Sequence, residues 1–223
     1  MTESQQQLAL VKERIKISAT QAGRAPSEVT LIAVSKTFEI GDIIPVLETG
    51  QRVFGENRVQ EAQSKWPELR KKFPGIELHL IGPLQSNKVS EAVELFDVIQ
   101  TVDRPKLVLA LAREIQKKAA NTQLMVQVNT GSEPQKAGVL PENIDEFMLQ
   151  CRQQLGDKIN GFMCIPPATD DPRLHFRMLK TMAQRYKFDK LSMGMSGDFE
   201  SAINEGATYI RVGSAIFGSR PNH

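Results

Sequence analysis

Lys36 is the side chain whose position most directly suggests chemistry. It follows Ser35 at the end of the apolar run 31–34, and lysine seldom lies beside a buried strand without a partner. A free lysine has a pKa of about 10.4, so the amine must lose a proton before it can act as a nucleophile. A partly desolvated pocket favours the neutral amine, which forms imines with carbonyl compounds. The alternative is a structural lysine that extends its ammonium group to solvent at a rim.

Two loops near the far end of the chain have the composition of phosphate-binding loops. They contain Ser196-Gly197 and Gly213-Ser214, in which glycine permits close backbone approach and serine supplies a hydroxyl. Each loop precedes a predicted helical turn whose N–H groups attract an anion, and Asp198 is expected to cap the first of these turns. For either loop alone, the alternative is a plain turn with a capping serine.

A lysine and a phosphate site together predict a phosphorylated aldehyde as the ligand, and pyridoxal phosphate is the common one. Arg211, flanked by Ile210 and Val212 on a predicted strand, is expected to point inward and face the pyridine nitrogen of that cofactor. An arginine would keep this nitrogen unprotonated and weaken the electron sink that pyridoxal enzymes use. Two alternatives stay open: an Arg211 that pairs with a neighbouring carboxylate, and a sugar-phosphate enzyme in which Lys36 forms an imine with its substrate.

These residues need a scaffold that brings distant segments to one face, and the apolar pattern predicts one. After a first helix at about residues 3–22, eight predicted strands alternate with helical patterns. The strands are at residues 29–34, 52–55, 76–81, 98–102, 123–129, 159–165, 191–193 and 209–212. The alternation implies parallel strands joined by crossover helices. It predicts a closed (β/α)8 TIM-like barrel, in a single domain over residues 1–223, with an open doubly wound sheet as the alternative.

In such a barrel the functional residues collect at the carboxyl ends of the strands, and the last two loops commonly hold a phosphate. Lys36 follows the first predicted strand, Asn57 the second, and His79 lies near the end of the third. The two serine–glycine loops follow the seventh and eighth strands. We therefore expect all of these residues at the same face of the barrel.

The composition excludes several other classes of function. The chain has 28 basic and 26 acidic residues, for a net charge of +2, so no charge excess indicates binding to nucleic acid or a membrane surface. Cys151 and Cys164 have neither metal-ligand nor disulfide-framework spacing. There is no P-loop and no serine–histidine–aspartate order. The polar N-terminus has no apolar signal-peptide core, so we expect a cytoplasmic protein.

Five segments resemble the pyridoxal phosphate homeostasis proteins, and the resemblance covers about residues 5–220. The segments are Ala33-Val34-Ser35-Lys36-Thr37, Phe54-Gly55-Glu56-Asn57, residues 79–88 (HLIGPLQSNK), residues 191–198 (LSMGMSGD) and residues 210–218 (IRVGSAIFG). The resemblance implies a barrel similar to the N-terminal domain of alanine racemase. It also implies pyridoxal phosphate on Lys36 and Arg211 facing the pyridine nitrogen. The remaining implied contacts are from Ser196, Gly197, Gly213 and Ser214 to the phosphate, with Asn57 and His79 lining the pocket.

The same resemblance implies a role in buffering or delivering the cofactor, with effects on amino-acid and keto-acid metabolism and no secure catalytic activity. Pyridoxal phosphate-dependent apoenzymes are then the candidate partners, and a monomer is expected. The alternative is a racemase or decarboxylase, but racemisation needs acid–base groups on both faces of the substrate. Only five residues follow Gly218, so we expect no second domain to supply the opposing group. Two positions depart from the family pattern: Arg58 replaces a tyrosine, and Gly197 is at a variable position.

Overall fold

The structure is a computed structural model that describes residues 1–219. The last part of the expected domain, residues 220–223, lies outside the described residues, and the expectation of a single domain stays a prediction. Among residues 1–219, no helix combines the length and the apolarity that crossing a bilayer requires.

Eight parallel strands close into one barrel in the order of the sequence. They are β1 (Thr30–Val34), β2 (Val53–Glu56), β3 (Glu77–Leu80), β4 (Val98–Val102), β5 (Gln123–Val128), β6 (Ile159–Cys164), β7 (Lys190–Met195) and β8 (Tyr209–Val212). Closure is made by β1 and β8, whose register pairs Ile32 with Arg211 and Ala33 with Val212. This pairing confirms the predicted (β/α)8 barrel and excludes the open doubly wound sheet.

Helices cover the outside of the barrel. Within residues 1–219 they are α1 (Glu3–Gln21), α2 (Ile40–Glu48), α3 (Val59–Lys72), α4 (Val89–Leu95), α5 (Pro105–Lys118), α6 (Ile144–Leu155), α7 (Pro172–Tyr186), α8 (Phe199–Asn204) and α9 (Ser214–Phe217). Short 3₁₀ turns at residues 26–28, 86–88, 141–143 and 156–158 supplement them. The additional N-terminal helix was predicted at residues 3–22, and α1 confirms it.

The N-terminal helix packs across the last two helices because of its sequence pattern. Leu8, Val11, Ile15 and Ala19 recur at steps of three and four and are all buried, which places them on one helical face. Thr2 caps the helix in a capping box with Gln5. α1 thereby packs on α8 and α9, the helices that follow the two serine–glycine loops.

The predicted strands agree with the structure to within a few residues at each end. The largest difference is β7, which was predicted at residues 191–193 and extends from Lys190 to Met195. Met195 pairs with Arg211 of β8 across an irregularity in the register. This pairing recruits the glycine-containing segment into the sheet, although its composition is typical of a loop.

Candidate functional site

All eight strands run the same way, so their carboxyl ends form one face of the barrel. Lys36 follows β1 by two residues and is partly buried. The loop after β8 packs directly against this strand end, since a Cβ on Gly213 would lie 3.3 Å from both the Cβ and the carbonyl oxygen of Val34. The rings of Phe38 and Phe217 stack with their centroids 5.0 Å apart. The lysine-bearing loop and the last loop are therefore neighbours, as the barrel hypothesis requires.

The two serine–glycine loops are joined to each other. The backbone N–H of Gly213 donates to Ser196 Oγ at 3.4 Å. Space beside Gly197 is open, because a Cβ there would meet no atom within 4 Å. These loops present hydroxyls and approachable backbone N–H groups next to the Lys36 loop, which is the donor set that a phosphate needs.

Two details of these loops differ from the sequence interpretation. Asp198 occupies the N-cap position of α8 but makes no side-chain capping bond to the helix. Its Oδ1 accepts instead from the backbone N–H of Met195 at 2.6 Å, so it stabilises the turn that presents Ser196. The following helices α8 and α9 have only six and four residues. Hydroxyls and individual N–H groups, rather than a long helix dipole, are therefore what these loops offer to an anion.

The backbone on both sides of Lys36 is held by Lys65 on α3. The ammonium of Lys65 donates to the carbonyl oxygens of Ser35 at 3.1 Å and Phe38 at 3.2 Å. It also lies 2.9 Å from a carboxylate oxygen of Glu56 and 2.9 Å from one of Glu61. We call these three charged residues the Lys65 cluster. Its side chains are largely removed from solvent, with 5% of Lys65 and none of Glu56 exposed.

The Lys65 cluster also fixes an unusual backbone conformation next to Lys36. Thr37 has φ of +68°, which is rare for a β-branched residue. Its backbone N–H donates to Glu61 Oε1 at 2.5 Å. This bond helps to hold the turn that follows Lys36.

Glu56 is the buried centre of the cluster. Its Oε1 accepts from Ser35 Oγ at 2.7 Å and from Trp66 Nε1 at 3.0 Å. Burial raises the pKa of Glu56, while the charge and hydrogen bond of Lys65, and then the bonds from Ser35 and Trp66, oppose that rise. The carboxylate thus links the end of β1 to α3.

Arg211 lies inside the barrel on β8 and is only 4% exposed. Its guanidinium donates to Ser192 Oγ at 2.7 Å and to the carbonyl oxygen of Cys164 at 2.8 Å. Burial lowers the pKa of Arg211, but a guanidinium starts from so high a value that it stays cationic. Both bonds go to neutral groups, and electrostatic interactions with Cys164 and Asp198 oppose the fall of the Arg211 pKa.

His79 and Asn57 have different environments. Asn57 follows β2 and is partly buried. It lines a cavity of about 580 Å³ together with Arg58, Gln85 and Arg104. His79 is fully buried within the barrel, and its two ring nitrogens contact Glu77 and Gln100. The structure therefore brings the lysine and both serine–glycine loops together at the rim, and it places His79 deeper, among other polar side chains.

Four residues that matter to this site were missed by sequence reasoning: Glu56, Lys65, Gln100 and Ser192. Glu56 lay within a quoted motif but received no role. Gln100 and Ser192 are polar residues in the interior of mainly apolar strands, and that pattern was the available signal. Lys65 carries no such signal, because a lysine on a helix normally extends to solvent.

Residues 1–219 show neither a cluster of metal ligands nor a reactive thiol. No group of three or more histidine, cysteine, aspartate or glutamate side chains is arranged there to hold a metal. Cys151 and Cys164 are both free and buried. Burial raises the pKa of each thiol to about 12, which disfavours the reactive thiolate.

Comparisons with known proteins agree on one family and one fold. The family model described as "Alanine racemase, N-terminal domain" matches residues 7–221. The pyridoxal phosphate homeostasis protein of Vibrio alginolyticus is 38% identical over 230 residues, covering 99% of each chain. The structure of PipY from Synechococcus elongatus PCC7942 with pyridoxal phosphate bound is 36% identical, with a TM-score of 0.79. That match covers 93% of this chain and 100% of PipY.

A more distant likeness concerns the fold alone. The alanine racemase of Clostridium difficile 630 is 12% identical with a TM-score of 0.70, and the match covers 95% of this chain but 57% of the racemase. At that identity the match supports a shared barrel and carries no statement about activity.

Proposed function

The chain belongs to the family of pyridoxal phosphate homeostasis proteins, and on this premise we propose that it binds pyridoxal 5′-phosphate as an imine on Lys36. In the proposed role the protein buffers the cofactor or delivers it to pyridoxal phosphate-dependent apoenzymes. Amino-acid and keto-acid metabolism would respond through the supply of that cofactor.

The observation that carries the proposal is the joining of three loops at one end of the barrel. The loop that bears Lys36 contacts the loop of Gly213 through Val34, and Gly213 is bonded to Ser196. This neighbourhood of loops supports a ligand whose aldehyde reacts with the amine of Lys36 and whose phosphate is held by the hydroxyls and N–H groups of the other two loops.

The donor set fits each part of the cofactor. Ser196 and Ser214 would bind the phosphate with the backbone N–H groups of their loops, and Asn57 would border the ring. Arg211 would direct its guanidinium to the pyridine nitrogen. When bound, pyridoxal phosphate supplies an aldehyde that forms reversible imines with amines, which suits storage and transfer between proteins.

We propose further that the protein has negligible turnover of amino acids. Arg211 is a cationic donor, and a donor beside the pyridine nitrogen disfavours the protonated ring that pyridoxal enzymes use to accept electrons. The curated relatives are named for homeostasis rather than for a reaction. The recipient apoenzyme, the cytoplasmic location and the monomeric state stay predictions from the sequence.

The test is the visible absorption spectrum of the purified protein before and after borohydride reduction. We expect an imine band in the wild type, its loss on reduction, and cofactor fixed covalently to Lys36 by peptide mass analysis. Lys36→Ala should show no fixed cofactor. Lys88→Ala is the matched control, because Lys88 is another partly buried lysine beside the rim and pairs only with Glu91 among the ion pairs described in residues 1–219.

Two outcomes would contradict the proposal in different ways. A colourless wild type that takes up no added pyridoxal phosphate would reject cofactor binding and favour the sugar-phosphate hypothesis. Steady turnover of an amino acid, lost in Lys36→Ala but kept in Lys88→Ala, would favour a racemase or decarboxylase over a buffering protein.

A further inference from the structure

The interior of the barrel contains a column of polar side chains where such barrels usually have branched apolar residues. His79 on β3, Gln100 on β4 and Ser192 on β7 are each fully buried, and Arg211 on β8 is nearly so. Successive bonds connect them. Arg211 lies 2.7 Å from Ser192 Oγ, Ser192 Oγ lies 2.5 Å from Gln100 Oε1, and Gln100 Nε2 lies 2.7 Å from His79 Nδ1. The last bond joins His79 Nε2 to Glu77 Oε1 at 2.6 Å.

The donor and acceptor chemistry of these groups allows only one direction for this chain of hydrogen bonds. An arginine can only donate, so the hydroxyl of Ser192 must accept from Arg211 and use its own proton toward Gln100 Oε1. The amide nitrogen of Gln100 then faces His79 and donates to Nδ1. His79 must therefore carry its proton on Nε2, which donates to the carboxylate of Glu77. Since a carboxylate only accepts, both ends of the chain require the same direction.

Protonation of His79 is incompatible with that direction. A proton on Nδ1 would face the amide N–H of Gln100, so two donors would oppose each other. The amide must then turn over, and Ser192 would receive donors from both Gln100 and Arg211. Its hydroxyl proton would lose its acceptor in Gln100. The hydrogen bond between Ser192 and the Arg211 guanidinium would change as a result.

The groups that face His79 come from its own strand and from β2, β4, β7 and β8. Glu77 lies on its own strand, and the hydrogen bond from His79 is the largest cause of the lowered pKa of Glu77. The ring of Tyr209, on β8, meets the imidazole edge to face at 5.2 Å, and burial raises the pKa of Tyr209 to about 12. Lys190, on β7, lies 5.8 Å from that same ring. On β4 the neighbour of His79 is the neutral Gln100, and on β2 it is Gly55, which is paired with His79 in the sheet.

Solvent reaches Glu77, which is the last member of this chain of hydrogen bonds. The side chain of Glu77 is 43% exposed and lines a cavity of about 630 Å³ with Lys190, Tyr209 and Asn160. These residues lie at or near the amino-terminal ends of their strands. The column thus runs inward from a solvent-accessible cavity at the amino-terminal end of the barrel to the buried Arg211.

We propose that His79, Gln100 and Ser192 are positioning residues that hold the Arg211 guanidinium against the cofactor ring and make the ring environment respond to the protonation of His79. The proposal rests on the proposed function, because it takes pyridoxal phosphate as the ligand that Arg211 faces. It gives His79 an indirect role, through three other residues, in place of direct contact with the cofactor.

The first experiment needs no cofactor. Nitrogen-15 NMR of the histidine ring in the cofactor-free protein, assigned by its loss in His79→Gln, should show a protonated Nε2 and an unprotonated Nδ1 at neutral pH. A proton on Nδ1 would overturn the proposed direction. The same ring signals, followed as the pH is lowered and raised, then give the measured midpoint of His79 protonation for the next experiment.

The second experiment uses protein in which borohydride has fixed the cofactor, so that the imine can no longer titrate. We expect the absorbance and fluorescence of the pyridoxyl ring to include a step at the midpoint of His79. Ser192→Ala interrupts the chain of hydrogen bonds and should abolish this spectral step. Ser192→Thr keeps the hydroxyl and should retain the step. Loss of one bond to a charged group also predicts about tenfold weaker retention of unreduced cofactor in Ser192→Ala.

The control is Gln51→Leu, which removes a buried glutamine amide outside the column. Gln51 donates to the carbonyl oxygens of Leu31 and Val53, so this variant tests for a general loss of packing and should keep the step. A wild type without the step, or an unchanged step in Ser192→Ala, would overturn the coupling. Failure of borohydride to fix cofactor on Lys36 would instead reject the proposed function, while the NMR result would still decide the direction of the chain.

Discussion

Replacing Lys65 by methionine tests whether the Lys65 cluster stabilises the turn that carries Lys36. Methionine keeps a long flexible side chain but removes the ammonium group. Glu56 then keeps a buried carboxylate without its counter-charge, and Glu61 loses the same partner. The carbonyl oxygens of Ser35 and Phe38 lose their bonds to the ammonium as well.

The expected loss is large because the pair is buried. Removing one partner of a buried ion pair costs about 3–5 kcal/mol, a substantial part of the roughly 5–15 kcal/mol by which a domain is stable. Lys72→Met is a matched control on the same helix. Lys72 pairs with Glu68 at 2.8 Å, but both side chains are more than half exposed, so its loss should cost no more than about 0.5 kcal/mol.

Urea unfolding can be followed by the fluorescence of Trp66, the single tryptophan of the chain. Its indole N–H donates to Glu56, so the probe lies within the cluster. Adding Glu56→Gln to Lys65→Met should recover part of the lost free energy of unfolding, since the uncompensated charge is then removed. A Lys65→Met protein within about 1 kcal/mol of the wild type would refute the reasoning, because a buried charge left unpaired cannot cost so little.

The stability loss in Lys65→Met should also change with pH in a direction that can be predicted. Burial raises the pKa of Glu56, and removing Lys65 would raise it further because the opposing charge and bond are lost. A carboxyl with a raised pKa in the folded state binds its proton more tightly there than in the unfolded chain. Its contribution to stability is therefore full below the unfolded pKa of about 4.3 and is lost as the pH rises through the folded pKa. The defect of Lys65→Met should grow from acid to neutral pH, and a defect that shrinks would contradict this cause.

Two further predictions concern the carboxyl end of β7 and the cysteines. Gly194→Ala should lower the free energy of unfolding by about 2–4 kcal/mol, because φ is +91° and the new Cβ would lie 2.5 Å from Ala202 Cβ. Gly23→Ala, at φ of +68° with no atom within 4 Å of its Cβ, should cost only about 1–2 kcal/mol, and equal losses would show that crowding is not the cause. Iodoacetamide at mildly alkaline pH should modify neither Cys151 nor Cys164 in the folded protein, because both thiols are buried with pKa values of about 12, whereas both should react in urea. Rapid native modification of either one, measured by mass spectrometry, would show that its burial is transient.

The barrel was predictable because each strand carries its own signal. The continuous apolar run of β1 indicates burial on both faces, and the helical pattern of residues 8–19 specifies one packed side. The positions of Lys36 and the two serine–glycine loops could also be predicted from the sequence, because they depend on strand order alone. A residue that follows a strand of a parallel barrel must lie at its functional face, whatever the details of the register.

The interior contacts were not predictable, because they depend on how neighbouring strands are staggered. Gln100 and Ser192 are 92 positions apart and meet only because the barrel closes with one particular register. His79 was expected to line the pocket from near the end of its strand. That expectation stays a prediction, and the structure adds Glu77 and Gln100 as the partners of its ring nitrogens. Polar residues at alternate positions of an apolar strand reveal that something inside must satisfy them, but they do not identify the partner.

The two parts of the site are held by separate sets of side chains, and this separation suits a protein that must take up and release its ligand. The turn of Lys36 is stabilised by the Lys65 cluster on β2 and α3, whereas Arg211 is held through β6, β7 and β4. The described bonds of both networks join groups of the protein to one another, so they order the turn of Lys36 and the Arg211 guanidinium by themselves. A site that is already ordered loses less free energy when its ligand enters.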